Sequence, residues 1–127
     1  MVARLASIHK SERLKSRSQI QFLFSKNTNK VGKYPLLLFY HELTFEGIQN
    51  QVLFSVPKKN FPRAVDRNLL KRRLREVYRK NKFPSELLPS EKHYAVGLVY
   101  IGKDILNSQD IEKSLLKTYD LLVEGDR

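Results

Sequence analysis

The stretch from Lys58 to Lys82 reads KKNFPRAVDRNLLKRRLREVYRKNK. Eleven of its residues are Lys or Arg and two, Asp66 and Glu76, are acidic, so about a fifth of the 127-residue chain carries +9 of a formal net charge of +11. From Arg63 onward Lys, Arg, Leu and Glu dominate, and neither Gly nor Pro occurs between Ala64 and Phe83, which predicts a helix. At about 100° per residue, Leu70, Leu74, Val77 and Tyr78 gather on one side, while Asn68, Lys71, Arg72, Arg75 and Arg79 gather roughly opposite. One face buries and the other is free for an anion. A helix surface that is merely solvated would mix signs and pair Glu with Lys four residues on. Nine basic residues against two acidic ones between Arg63 and Lys82 do not fit that pattern, and the expected ligand is a nucleic acid.

The remaining composition narrows the class. A chain of 127 residues suits one domain, and 41% hydrophobic residues permit a real core. With no cysteine, disulfides and thiolate metal sites are excluded, which is compatible with a reducing cytoplasm. No apolar run approaches the roughly 18 residues of a membrane span, and MVARLASIHKSERLK lacks the apolar core of a secretory signal. The expectation is a soluble cytoplasmic protein with no membrane partner. Leu70, Leu74 and Val77 read as core rather than as a lipid-facing edge, which would carry Trp or Phe.

Outward from the basic helix, residues 1–15 carry scattered charge and little periodicity, and are expected to form a basic flexible arm ahead of a single domain over 16–127. Ser16 with Gln19, and Ser18 with Gln21, offer capping boxes for a helix from about Ser18 to Ser25, with Ile20, Leu23 and Phe24 on its apolar side and Asn27 or Asn29 at its end. Tyr34 to Tyr40, YPLLLFY, is too apolar to alternate and reads as a strand buried on both faces. Glu46, Gly47 and Asn50 are turn formers, so Gln51 to Val56 reads as a second strand, antiparallel to the first across a hairpin and ended by Pro57. Pro84 and Pro89 make 83–92 a loop, with one turn at Ser85 to Leu88. Tyr94 to Ile101, YAVGLVYI, is the clearest strand. Asn107 or Ser108 caps a last helix in which Ile111, Leu115, Tyr119 and Leu122 or Val123 recur at helical spacing. The class is α+β, a small sandwich of three helices on a mostly antiparallel four-stranded sheet.

No catalytic constellation is visible. His9, His41 and His93 fall in the arm, a turn and a strand start, and none has metal-ligand spacing to another. The acidic pairs Glu42 with Glu46 and Asp104 with Asp110 sit in loops without a phosphate-cradling glycine motif. A DNA-reading helix would want a helix-turn-helix partner directly before it, whereas a strand and Pro62 precede Arg63, so DNA is not the expected ligand.

Arg63, Ala64, Val65, Arg67, Asn68, Lys71, Arg72, Arg75 and Glu76, a short gap after Lys58 and Lys59, resemble the signature segment of the bacterial ribonuclease P protein subunit. The resemblance extends over about Arg13 to Val123. It departs from the family at Leu69, where the usual Arg-Asn-Arg triplet keeps only Arg67 and Asn68. The resemblance implies a left-handed βαβ crossover, as in the second domain of ribosomal protein S5. It also implies a protein that binds the catalytic RNA subunit and the 5′ leader of precursor tRNA to promote endonucleolytic 5′ maturation, one protein per RNA. The hydrolysis and the Mg²⁺ it needs then belong mainly to the RNA, with no protein motif holding the metal. On this view Lys58, Lys59, Arg63, Arg67, Asn68, Lys71, Arg72, Arg75 and Arg79 bind RNA, while Ile20, Phe24 and Phe39 match positions lining the leader cleft. Composition alone leaves an alternative, a structural RNA-binding protein such as a ribosomal component.

Overall fold

The computed structural model describes residues 12–15, 17–25, 29–43, 50–88 and 93–125. In chain order the elements are α1 (Arg17–Leu23), β1 (Asn29–Val31), β2 (Leu36–Glu42), β3 (Gln51–Ser55), α2 (Ala64–Lys80), a 3-10 turn (Ser85–Leu87), β4 (Tyr94–Tyr100) and α3 (Ser108–Gly125). One mixed sheet of four strands runs in the order β1-β2-β4-β3. The α+β class, the four-stranded sheet and the three helices are those expected, although the apolar runs in the sequence mark only β2, β3 and β4.

β4 occupies the middle of the sheet. It pairs antiparallel with β2, from Leu36 opposite Tyr100 to Glu42 opposite Tyr94, and parallel with β3, from Gln51 opposite Ala95 to Ser55 opposite Val99. Every residue of β4 is buried, which is why its sequence is continuously apolar instead of alternating. The hairpin expected between β2 and β3 is therefore absent: the two strands never pair, because β4 lies between them and the link from β3 to β4 runs through α2. The antiparallel partner on the outer side of β2 is β1, with Asn29 opposite Tyr40 and Val31 opposite Leu38. Asn29 thus opens a strand and does not end a helix. Of the turn formers, residues 44–49 lie outside the described residues, while Asn50 accepts the Tyr94 N–H at 2.8 Å and so fastens β3 to the start of β4.

The sheet carries two cores. On one face Leu36, Leu38, Tyr40, Val52, Val96, Leu98 and Tyr100 pack with Leu70, Leu74, Val77 and Tyr78 of α2 and with Ile111, Leu115, Tyr119 and Leu122 of α3. These are the helical positions the apolar spacing singles out. α3 begins at an Asn107 cap, whose Oδ1 accepts the Asp110 N–H at 2.8 Å. At the other end of α2, Asn81 donates to Val77 O at 3.0 Å and to Glu112 Oε2 at 2.7 Å, and its own carbonyl accepts the Tyr119 hydroxyl. Loose carbonyls at the helix end are thereby satisfied, and the two helices are joined.

The opposite face holds a smaller core of Leu14, Leu23, Leu43 and Ala95, with Ile20, Phe39 and Leu53 half-buried against it. Here α1 crosses β4 at Gly97, where a Cβ would lie 2.7 Å from Leu23 Cδ2 and 3.3 Å from Phe24 Cζ. Absence of a side chain at that position is what lets the helix seat. The expected capping side chains of Ser16, Ser18 and Gln19 lie outside the described residues.

The expected flexible arm divides. Residues 1–11 lie outside the described residues, but 12–15 are built into the domain. Leu14 is buried and its N–H donates to Val52 O at 3.0 Å, while Arg13 bridges Val52 in parallel register. Glu12, also buried, pairs with Lys82 at 3.0 Å, tying this segment to the far end of the basic helix. A boundary drawn after residue 15 cuts through these contacts.

Candidate nucleic-acid interface

The basic helix forms as its sequence demands. Pro62 and Arg63 stand outside the first turn, Arg63 in an extended conformation, and seventeen residues follow without a break. Four apolar side chains pin the inner side, so the basic residues are left on the outer arc, where their charge is hydrated instead of buried.

These cations do not all stand alike. Arg63 pairs with Asp66 at 3.2 Å, and Arg79 pairs with Glu76. The second guanidinium, through its hydrogen bond, holds the Glu76 carboxyl below the ordinary carboxylate range. Arg67 donates from Nη1 to Phe61 O at 2.8 Å and to Pro62 O at 2.7 Å, holding the chain just before the helix. Arg75 lies over the Phe54 ring, 5.8 Å from its centroid, a cation–π contact that leaves the charge exposed. Among the described residues, the side chains of Lys58, Lys59, Lys71 and Arg72 form no hydrogen bond or ion pair. Lys58 and Lys59 occupy an exposed turn ahead of the helix, and Asn68 is exposed in its second turn. Thus Lys58, Lys59, Lys71, Arg72 and Arg75 present charge outward, while Arg63, Arg67 and Arg79 each have an internal partner. Leu69 is half-buried, and Arg73, which the sequence pattern does not single out, donates to Leu106 O at 2.7 Å, anchoring the loop before α3.

A groove of about 240 Å³ runs between α2 and the edge of β3. Val52, Leu53, Phe54 and Leu14 line it together with four cations, Lys71 and Arg75 from the helix and Arg13 and Lys15 from the N-terminal segment. Arg13 and Lys15 are absent from the residues expected to bind RNA. Their signal lies in the alternation Arg-Leu-Lys, one buried apolar residue between two exposed cations, which is the period of a strand.

The three apolar candidates gather elsewhere, around α1. Phe24 is 41% exposed and meets Phe39 edge to face, with ring centroids 5.0 Å apart. Ile20 and Phe39 are both half-buried against the smaller core. The structure therefore brings Ile20, Phe24 and Phe39 together on one face and leaves one aromatic ring accessible. Beneath Phe22, His41 is buried with its ring 4.6 Å away, and burial pushes its pKa down. Among the described residues no three His, Cys, Asp or Glu side chains gather to hold a metal ion, and no helix is long and apolar enough to cross a membrane.

A family model described as Ribonuclease P matches residues 8–120. A ribonuclease P protein component of Chlorobium phaeobacteroides is 38% identical over 108 residues, covering 76% of this chain and 73% of that protein. One from Porphyromonas gingivalis is 32% identical over 118 residues, covering 87% of this chain and 82% of that protein. Among solved structures, the RNase P protein of Staphylococcus aureus superposes with a TM-score of 0.68 at 19% identity, covering 89% of this chain and 96% of that one. The RNase P protein of Thermotoga maritima gives 0.63 at 21% identity, covering 84% and 93%. At those identities the structural likeness speaks for the fold, while family membership rests on the sequence matches.

Proposed function

The chain belongs to the ribonuclease P protein family, and from that premise we propose that its cationic face grips the catalytic RNA while the aromatic face beside α1 receives the leader of precursor tRNA. As a ribonuclease P protein subunit it binds RNA and serves the 5′ processing of tRNA. The observation that carries the finer reading is the division of the basic helix, an inner side locked into the core and an outer side carrying Lys71, Arg72 and Arg75, with Lys58 and Lys59 exposed in the turn ahead of it. Phosphates neutralised by those groups let RNA helices that repel one another pack together. Arg75 offers planar bidentate donation and the lysines act as point charges. Asn68 offers an amide to backbone oxygen on the same arc.

The chemistry in this reading belongs to the RNA. The RNA subunit positions Mg²⁺ and carries out the hydrolysis, with one protein per RNA in the cytoplasm, and the protein contributes affinity and positioning.

Two measurements test this. Purified chain added to the catalytic RNA is expected to restore processing of precursor tRNA at low Mg²⁺, where the RNA alone works poorly. A chain that binds the RNA and leaves the rate unchanged would instead be a structural RNA-binding protein. The leader face is tested by Phe24→Ala. Loss of one stacking ring is expected to weaken precursor tRNA by about 1–3 kcal/mol, and to leave mature tRNA, which has no leader, nearly unaffected. Equal losses on both substrates, measured as Kd of the holoenzyme, would assign Phe24 to packing.

A further inference from the structure

Arg67 stands at the head of the basic helix, and the obvious role for it is a phosphate contact. Its geometry gives it a second task. One nitrogen, Nη1, donates at 2.8 Å to Phe61 O and at 2.7 Å to Pro62 O, the last two carbonyls before the helix apart from Arg63. The segment it holds is the end of a tight turn. Asn60 N–H and Phe61 N–H both donate to Pro57 O, at 3.2 and 3.3 Å, and the buried Phe61 ring lies 5.9 Å from that of Tyr100. Lys58 and Lys59 occupy the exposed tip of this turn. A backbone carbonyl left without a donor is free to reorient, and a charged donor shared by two of them fixes both.

We propose that Arg67 is a positioning residue: it staples the Phe61–Pro62 backbone to the helix so that Lys58 and Lys59 meet RNA phosphate as an ordered pair. The inference rests on the RNA-binding reading above for the role of the two lysines, but not for the staple itself. Order in the turn removes an entropy cost that two lysines on a loose loop would have to meet on binding. Lysine keeps the charge on a shorter side chain, whose ammonium is not expected to reach the place between the two carbonyls that Nη1 holds.

The test separates the staple from the RNA. In the free protein, hydrogen exchange at the Asn60 and Phe61 amides is expected to rise about tenfold in Arg67→Lys, the opening made easier by loss of two charge-assisted bonds, with amides of β4 unchanged. Exchange equal to wild type would overturn the staple without reference to RNA. On the catalytic RNA, Lys58→Ala/Lys59→Ala is expected to lower the log–log salt slope by about 1.4–1.8, as for two phosphates no longer neutralised. Arg67→Lys, although its charge is kept, should lose a comparable part of the affinity, and adding it to the double variant should cost little more. Additive losses would make Arg67 an independent phosphate contact and overturn the proposal. Faster turn exchange together with wild-type RNA binding by the double variant would also overturn it, through the reading of Lys58 and Lys59, with the staple intact. Arg67→Ala repeats the series, and Arg67→Lys decides it should the alanine variant fail to fold.

Discussion

Leu74→Ala is expected to destabilise the domain by about 2–5 kcal/mol, the range for truncating a fully buried leucine, and to lower the thermal midpoint by about 10 °C or more. Leu74 is completely buried between Leu70, Val77 and Tyr78 on the inner side of α2, in the core shared with β2, β4 and α3. A domain of this kind has about 5–15 kcal/mol in total, so one substitution consumes a large share. The effect bears on function because the same side chain holds the outer arc of cations in place. RNA affinity at a temperature where the variant is partly unfolded should fall with the folded fraction, and should recover on cooling. Denaturant titration and circular dichroism give the stability, and filter binding at two temperatures gives the affinity. A variant that melts like the parent would mean that the inner side of α2 is not what anchors the interface.

Lys71→Ala/Arg72→Ala/Arg75→Ala is expected to produce the largest loss of RNA binding. With three phosphates no longer neutralised, the log–log salt dependence should flatten by up to about 2.1–2.7. The fall in affinity at low salt should be one to two orders of magnitude, about a tenfold change for each 1.4 kcal/mol. The comparison that gives this meaning is Lys113→Ala/Lys117→Ala, two exposed cations on α3. If net charge alone drew the RNA, removing any lysines would act in proportion to their number. If the face matters, the α3 pair should leave the slope nearly unchanged. Equal slopes for the two variants would reject the interface. The stability of the triple variant should stay close to the parent, because the Lys71 and Arg72 side chains form no hydrogen bond or ion pair among the described residues and Arg75 gives up only its stacking on Phe54.

Local patterns recover the parts of this fold that local patterns control. The span of α2, the buried character of β4 and the Asn107 start of α3 follow from side-chain period, apolar run and capping chemistry, all of which act within a few residues. The misread hairpin has a different origin. Which strand sits beside β2 is decided by Tyr94–Tyr100, some fifty residues away, and a turn-rich connection carries no record of a strand that will later insert. β1 is only three residues long, too short for an alternation to register. Leu14 reads as part of an arm because its partners, Val52 and the smaller core, are distant in sequence.

The candidate interface is legible in the sequence as charge but not as geometry. Helical spacing places Lys71, Arg72 and Arg75 on one arc, and the structure keeps them there. Spacing cannot tell that Arg67 turns back to Phe61 and Pro62, since that depends on how the turn folds against the helix. Nor can it reveal that Arg13 and Lys15 close the other wall of the groove.

The central place of β4 also governs when the molecule can exist during its own synthesis. Among the described residues, β3 has β4 as its one full-length neighbour, and β2 has only the three-residue β1 until β4 arrives. A nascent chain that has left the ribosome as far as residue 93 therefore exposes two apolar strands and a highly cationic helix without the strand that joins the two ribbons into one sheet. Non-local pairing of this sort folds late and leaves sticky intermediates. The surface that carries the cations is thus fully supported only once residues 94–125 have joined the sheet and its core.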